Sequence, residues 1–231
     1  MEAVILVGGL GTRLRSVVSD RPKPMAEVNG KPFLSIILDS LVDGGVKHVI
    51  LATGYKGEFI SNYYGDTYRN IKLDYSHENK KLGTGGAVRQ ALGFLINKRM
   101  PFFVLNGDSF IELEFARMYS QHLYSNSQIT IATKFVSSAS RYGMLDINEK
   151  KITGFKEKGS SASGYINSGV YIINPDLFKS EIELTFSLEK DFIEKRIEHL
   201  DISPFESKGF FIDIGIPEDY ERAKRHWLIE N

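Results

Sequence analysis

A run of four apolar residues, Val4-Ile5-Leu6-Val7, leads directly into Gly8-Gly9-Leu10-Gly11. A short unbroken apolar run suits a parallel strand that is buried on both faces. Glycines at the C-terminal end of such a strand let the backbone approach a ligand and turn N–H groups toward phosphate oxygens. Open α/β sheets bind their ligands at that edge. A tight structural turn explains a bare glycine cluster equally well. Either way, a strand of this kind needs parallel neighbours joined by helices, and the following residues supply them.

Leu34, Ile37, Leu38, Leu41 and Val42 recur at helical spacing and stop at Gly44-Gly45. His48 to Ala52 reads as a strand, Glu58 to Tyr64 as a helix, Ile71 to Tyr75 as a strand, Gly85 to Ile96 as a helix and Phe102 to Leu105 as a strand. The alternation predicts a Rossmann-like, doubly wound, mainly parallel sheet with helices on both faces. Residues 128–134, 143–147, 152–155 and 166–173 read as strands with short connections, which adds a small antiparallel extension. Two further helical patterns close the chain, the second placing Tyr220, Ala223 and Trp227 on one face after Pro217. No linker, repeat or low-complexity run interrupts the 231 residues, so one domain over 1–231 is the simplest organisation.

Lysine plus arginine balances aspartate plus glutamate at 29 each, so no bulk field favours nucleic acid or an acidic membrane. The absence of cysteine excludes disulfides, thiolate zinc sites and thiol nucleophiles. The N-terminus has neither a basic region nor a long apolar run, and no later stretch approaches membrane-spanning length. A soluble cytoplasmic protein is expected. His48, His77, His122, His199 and His226 show no ligand spacing and read as surface or packing residues.

Arg13 shifts the balance between the two readings of the glycine turn toward a ligand. A guanidinium beside exposed backbone donors suits a polyphosphate. The dinucleotide fingerprint fails, because counting from Gly9 its third glycine falls at Leu14, and no Gly-Lys-Ser/Thr follows to complete a Walker loop. Lys23 lies between Pro22 and Pro24, which should hold its segment extended. Glycines, Arg13 and Lys23 together read as an enclosure for several phosphates.

Gly8-Gly9-Leu10-Gly11-Thr12-Arg13-Leu14 with Pro22-Lys23-Pro24-Met25 resembles the signature of the sugar-1-phosphate nucleotidyltransferases. That family's later motifs follow in order: Leu82-Gly83-Thr84-Gly85-Gly86-Ala87, Asn106-Gly107-Asp108, Glu157-Lys158, Asn167-Ser168-Gly169-Val170-Tyr171 and Phe211-Ile212-Asp213-Ile214-Gly215. Val17 to Asp20 and Asn29 to Leu34 are most similar to the branch that guanylylates a manno-heptose 1-phosphate. Val7 and Ser168 stand where the family usually has alanine, and Gly159 where proline is common. These changes fall at supporting positions.

The resemblance implies attack by a sugar phosphate oxygen on the α-phosphorus of a nucleoside triphosphate. The two reactants together carry roughly five or six negative charges, so catalysis must come from neutralising charge and aligning the groups. Asp108 and Asp213 each end an apolar run, where an isolated aspartate reads first as an Asx turn or helix cap. As a pair in the family's positions they imply Mg²⁺. By the same resemblance, Gly8, Gly9, Gly11, Thr12, Arg13 and Gly83 bind the nucleotide, with Arg13 on the leaving pyrophosphate and Lys23 between the α-phosphate and the sugar phosphate. Lys158, Glu157, Asn167 and Gly143 take the sugar phosphate, although Glu157 in Lys156-Glu157-Lys158-Gly159 also reads as a solvated charge. Glu78 lies where relatives read the base. A carboxylate there accepts from both N1 and N2 of guanine, which favours GTP, while the polar run His77 to Lys81 also suits a solvated loop. Other pairings of base and sugar, or an inactive nucleotide-sugar-binding regulator, are the competing readings. Homo-oligomers are common in the family, and the sequence carries no interface signature of its own.

Overall fold

The computed structural model describes residues 1–9, 14, 21–139, 142–156, 163–179 and 183–229. Strand β1 (Glu2–Leu6) is followed, among these residues, by a tight 3₁₀ turn at Lys23–Met25 and a hairpin of β2 (Glu27–Val28) and β3 (Lys31–Pro32). Then come α1 (Phe33–Asp43), β4 (His48–Thr53), α2 (Gly57–Tyr64), β5 (Thr67–Tyr68), β6 (Ile71–His77), α3 (Gly83–Ala91) and β7 (Phe102–Asn106). The remainder comprises β8 (Ser109–Ile111), α4 (Phe115–Ser125), β9 (Ile129–Val136), β10 (Met144–Asn148), β11 (Lys151–Lys156) and β12 (Gly164–Ile173). A helical stretch then leads to β13 (Ile202–Glu206), β14 (Phe211–Asp213) and α5 (Pro217–Ile229).

The strand order is β12-β7-β1-β4-β6, and the last four of these strands run parallel. In register, Val4 of β1 lies between Ile50 of β4 and Val104 of β7. The chain fills one flank of β1 with β4 and β6, then crosses to the other flank with β7. That reversal creates a switch point between β1 and β7, the place where α/β sheets leave a crevice beyond their carboxyl ends. The antiparallel extension is present as expected: β12 pairs with β7, β9 and β10, and β10 with β11.

Strand residues alternate between two cores. Ala3, Ile5, Val49, Leu51, Phe103 and Leu105 face α1, α2, α4 and α5, while Val4, Ile50, Phe102 and Val104 face α3 and the apolar side chains of 186–193. Burial on both faces is the reason these strands read as unbroken apolar runs. Each such fully buried side chain contributes about 1.5–3 kcal/mol relative to exposure.

Several elements depart from the sequence reading, among them the short strands β2, β3, β5 and β8, helices α3 and α4, and strand β13. Helix α3 stops at Ala91 and passes into a 3₁₀ turn at Leu92–Phe94, and Leu95 is extended. Gly93 weakens the helix there, and Ile96 is left 72% exposed. Helix α4 was not anticipated, yet Phe115, Met118 and His122 form its buried stripe, and Phe115 packs edge-on to Phe103 at 5.3 Å. Strand β13 was also missed because it contains Pro204; among the described residues it pairs with β9 alone, and such an edge tolerates a missing N–H. Among the described residues no helix is long and apolar enough to cross a membrane.

Candidate active site

Two carboxylates meet at the switch point. Asp108 follows β7, and the chain then turns into β8, which pairs antiparallel with β14 so that Asp213 lies opposite Ser109. The Ile214 amide donates to the Asp108 carbonyl at 2.9 Å, tying the two strand ends together. The Gly215 amide donates to Asp213 Oδ1 at 2.7 Å and fixes that carboxylate. Lys23 enters between them, its Nζ 2.6 Å from Asp108 Oδ2 and 3.7 Å from Asp213 Oδ1.

Pro22 is extended, but Lys23 itself begins a tight turn in place of the extended segment expected from its prolines. The Met25 amide donates to Pro22 O at 2.8 Å and the Ala26 amide to Lys23 O at 3.0 Å. Pro24 suits the first turn because its missing N–H would be unsatisfied there anyway. Buried Pro24 and Met25 anchor the turn and aim the lysine inward. The Lys23 side chain is 9% exposed, against 40% for Asp108 and 37% for Asp213. The carboxylates therefore face the opening and the cation sits behind them.

The ammonium group tests the pair as a cation site, since a cation already rests against both carboxylates. Among the described residues no cluster of three or more ligating side chains exists. Two carboxylates with the remaining positions left to water and phosphate is the arrangement that suits Mg²⁺.

These residues line a cleft of about 1250 Å³, larger than the roughly 300–1,000 Å³ typical of a single small-molecule site. On the β6 side, Glu78 packs against the glycine turn: a Cβ on Gly8 would lie 2.9 Å from Glu78 Oε1 and 3.1 Å from the Gly54 amide. Any larger residue there would push the Glu78 carboxylate aside. Glu78 Oε2 accepts from the Leu82 amide at 3.0 Å, so this carboxylate is held at the wall of the cleft and is not a loosely solvated loop charge. Gly83 has φ +74°, and a Cβ there would lie 2.5 Å from the Phe186 carbonyl oxygen. That same carbonyl accepts from Gly85 at 3.0 Å and Gly86 at 3.3 Å, so the first turn of α3 is clamped by the segment before Leu188.

On the β12 side, Asn167 is fully engaged. Its Nδ2 donates to the Tyr171 hydroxyl at 2.7 Å and to Glu189 Oε1 at 3.3 Å, and its Oδ1 accepts from the Gly169 amide at 3.0 Å. The Tyr171 hydroxyl donates to Glu189 Oε1 at 2.5 Å. Burial, and then the Glu189 charge, push this phenol well above its ordinary range, so it remains a donor. Ser168 is accommodated: it is buried and donates to the Ala132 carbonyl at 2.7 Å.

Of the residues singled out from the sequence, Gly8, Gly9, Lys23, Glu78, Gly83, Asp108, Gly143, Asn167 and Asp213 all line this one cleft. Gly11, Thr12, Arg13, Glu157 and Lys158 lie outside the described residues. Sequence reasoning missed Glu189 and Lys190, which reach the cleft from a π-helical turn at Leu188–Ile193. The local sequence marks only the start of that turn: Ser187 caps it, accepting from the Lys190 amide at 3.2 Å while Asp191 accepts from the Ser187 amide at 2.8 Å. Such reciprocal capping marks a helix start.

A family model described as nucleotidyl transferase matches residues 2–229. The chain is 43% identical over 226 residues to the D-glycero-alpha-D-manno-heptose 1-phosphate guanylyltransferase of Aneurinibacillus thermoaerophilus, covering 97% of each protein. It is 40% identical over 233 residues to the enzyme of the same name from Campylobacter jejuni, covering 100% of each. The crystal structure of HddC from Yersinia pseudotuberculosis complexed with GMP-PN matches with a TM-score of 0.87 and 39% identity, covering 98% of this chain and 99% of that one.

Proposed function

The chain belongs to the nucleotidyl transferase family, and on that footing we propose that it transfers GMP from GTP to D-glycero-α-D-manno-heptose 1-phosphate, releasing pyrophosphate. Two full-length relatives carry that activity in their names, and the HddC structure is a complex with GMP-PN. The observation that carries the reading is the convergence of Lys23, Asp108 and Asp213 at the switch point, in the middle of a cleft that reaches from Glu78 to Asn167. Glu78 directly follows β6 and Asn167 lies in β12, strands four intervals apart in the sheet. At ~4.8 Å per interval the span is roughly 19 Å, room for a base, a phosphate chain and a sugar in line.

In this reading the base lies against Glu78, whose carboxylate accepts from the N1 and N2 hydrogens of guanine. The triphosphate follows the glycine turn, with the amides of Gly8, Gly9 and Gly11, the Thr12 hydroxyl and the Arg13 guanidinium taking charge from the leaving pyrophosphate. Lys23 neutralises the α-phosphate and draws the sugar phosphate toward it. Gly143, Glu157 and Lys158 receive the sugar phosphate, and Asn167 lines that end of the cleft. Asp108 and Asp213 would hold Mg²⁺, which would supply charge neutralisation and alignment of the phosphates. The sugar phosphate oxygen forms a new bond to the α-phosphorus as the bond to the β-phosphate oxygen breaks, and pyrophosphate leaves with that electron pair. No protein nucleophile is required. The whole reaction lies within one domain, and its GTP substrate assigns it to the cytoplasm.

The test is pyrophosphate release with Mg²⁺, crossing four nucleoside triphosphates with heptose, mannose, glucose and N-acetylated sugar 1-phosphates. Turnover confined to GTP with the manno-heptose phosphate is expected. Turnover with another pair would reassign the substrates, and silence with intact nucleotide binding would turn the reading toward a nucleotide-sugar-binding regulator.

A further inference from the structure

Asn167 is the residue whose position invites a role in reading the sugar, but both of its amide hydrogens are already committed, to Tyr171 and to Glu189. Its orientation is fixed, because turning the amide over would face its oxygen toward the Glu189 carboxylate and its N–H groups toward the Gly169 amide. The network therefore converges on Glu189. Oε1 receives the Tyr171 hydroxyl and Asn167, while among the described residues no protein donor engages Oε2.

Three contacts hold the carboxylate in place. The Leu188 amide donates to Thr84 Oγ1 at 2.9 Å, pinning the turn to α3. Leu188, Phe192 and Ile193 are buried in the core around it. Tyr171, 1% exposed, supplies a rigid hydroxyl from β12. Glu189 is half-buried and lines the same cleft as Asp108 and Asn167. A carboxylate fixed at one oxygen, with the other facing the cleft, is an acceptor for the hydroxyl groups of a bound pyranose.

Building on the proposed function, we propose that Glu189 is the specificity-determining residue for the sugar: its Oε2 accepts the hydroxyl hydrogens of the sugar 1-phosphate, and Asn167 and Tyr171 are positioning residues that act through it. Glutamine at this position tests the idea without altering shape. The donors Tyr171 and Asn167 hold the glutamine carbonyl where Oε1 was, so the amide N–H₂ replaces the free acceptor with a donor.

Steady-state kinetics of Glu189→Gln and wild type would be measured with each sugar 1-phosphate the wild type accepts, and with analogues lacking one ring hydroxyl at a time. A lost hydrogen bond to a charged group corresponds to about a tenfold to hundredfold fall in kcat/KM. That fall should appear in KM for the sugar phosphate, with KM for GTP unchanged. One deoxy analogue should lose comparably with the wild type and lose little further with the variant. Tyr171→Phe, which keeps the carboxylate, should show a smaller effect of the same kind. An unchanged KM for the sugar phosphate, or an equal rise in KM for GTP, overturns the assignment. Should Glu189→Gln prove unstable, Glu189→Asp, which retains the charge but withdraws it from the cleft, should show the same selective rise, and its absence overturns the assignment too. Wild-type silence with every sugar phosphate would defeat the proposed function itself, whereas an active wild type matched by the variant defeats only the role of Glu189.

Discussion

Replacing Lys23 by methionine keeps the side chain's length and removes the ammonium that bridges Asp108 and Asp213. In the ligand-free enzyme a divalent cation approaching these carboxylates must displace that ammonium or sit beside it. The contact displaced is a 2.6 Å charge-assisted bond to Asp108, with a weaker interaction at 3.7 Å to Asp213. Such a bond is worth about 1.5–3 kcal/mol when sheltered. The carboxylates are 40% and 37% exposed, so solvent screening brings the figure to about 1–2 kcal/mol. Lys23→Met should therefore tighten divalent-cation binding by about 5- to 30-fold while reducing turnover far more than nucleotide binding. Titration of nucleotide-free protein with Mn²⁺, read by electron paramagnetic resonance, separates the two effects because it needs no catalysis. Adding Asp108→Asn to Lys23→Met should abolish the gain. If Lys23→Met binds Mn²⁺ no more tightly than the wild type, the ammonium does not stand in the cation's place, and the metal assignment of the two aspartates loses its structural support.

Three further outcomes follow from the same geometry. Glu78→Gln keeps an acceptor for the Leu82 amide but presents guanine with a mismatched group, so the kcat/KM preference for GTP over the other nucleotides should fall by about tenfold or more; unchanged selectivity would remove Glu78 from base recognition. Gly83→Ala combines φ +74° with a Cβ 2.5 Å from the Phe186 carbonyl and should cost about 2 kcal/mol or more, seen as a lower urea midpoint, whereas an unchanged midpoint would show that the clamp on α3 relaxes freely. At the opposite edge of the sheet, buried His48 lies 2.6 Å from Glu2 and 2.8 Å from Asp74. Burial works to raise the Glu2 carboxyl, but hydrogen bonds from His48 and from the Asn97 and Ile96 amides outweigh it and leave it below its usual value; Asp74 is held low first by Lys72, against burial, and then by His48. Depressed carboxyls stabilise the fold fully above their unfolded values near about pH 4, and that stability is lost as pH falls through the lower folded values. His48→Gln should cost about 1–3 kcal/mol at neutral pH through its lost hydrogen bonds and flatten the loss below pH ~4 in urea melts, and an unaltered pH slope would disprove the coupling.

The sheet was legible in the sequence because burial on both faces writes each parallel strand as a local apolar run, and the glycine turns mark where those runs meet the ligand edge. Asp108 and Asp213 were legible as a pair for the same reason: each ends such a run, and β8–β14 pairing brings them together. What stayed hidden depended on contacts between distant parts of the chain. Pro204 reads as a strand breaker until its strand is seen to pair on one side only. The prolines beside Lys23 fit an extended segment and a 3₁₀ turn equally well, and burial of Pro24 and Met25 selects the turn.

Glu189 shows the difference most clearly. Within Leu188-Glu189-Lys190-Asp191 it cannot be told from a solvated surface charge, since nothing local distinguishes one carboxylate from another. Its role emerges only once the hydroxyl of Tyr171 and the amide of Asn167 are both found pointing at one of its oxygens. A motif records which groups are present, but recognition depends on which of their donors and acceptors remain open after folding. At Asn167 the N–H groups are committed, and at Glu189 one oxygen is not. Counting hydrogen bonds in the folded chain therefore moves the sugar-selecting role from the motif residue to a glutamate that carries no motif of its own.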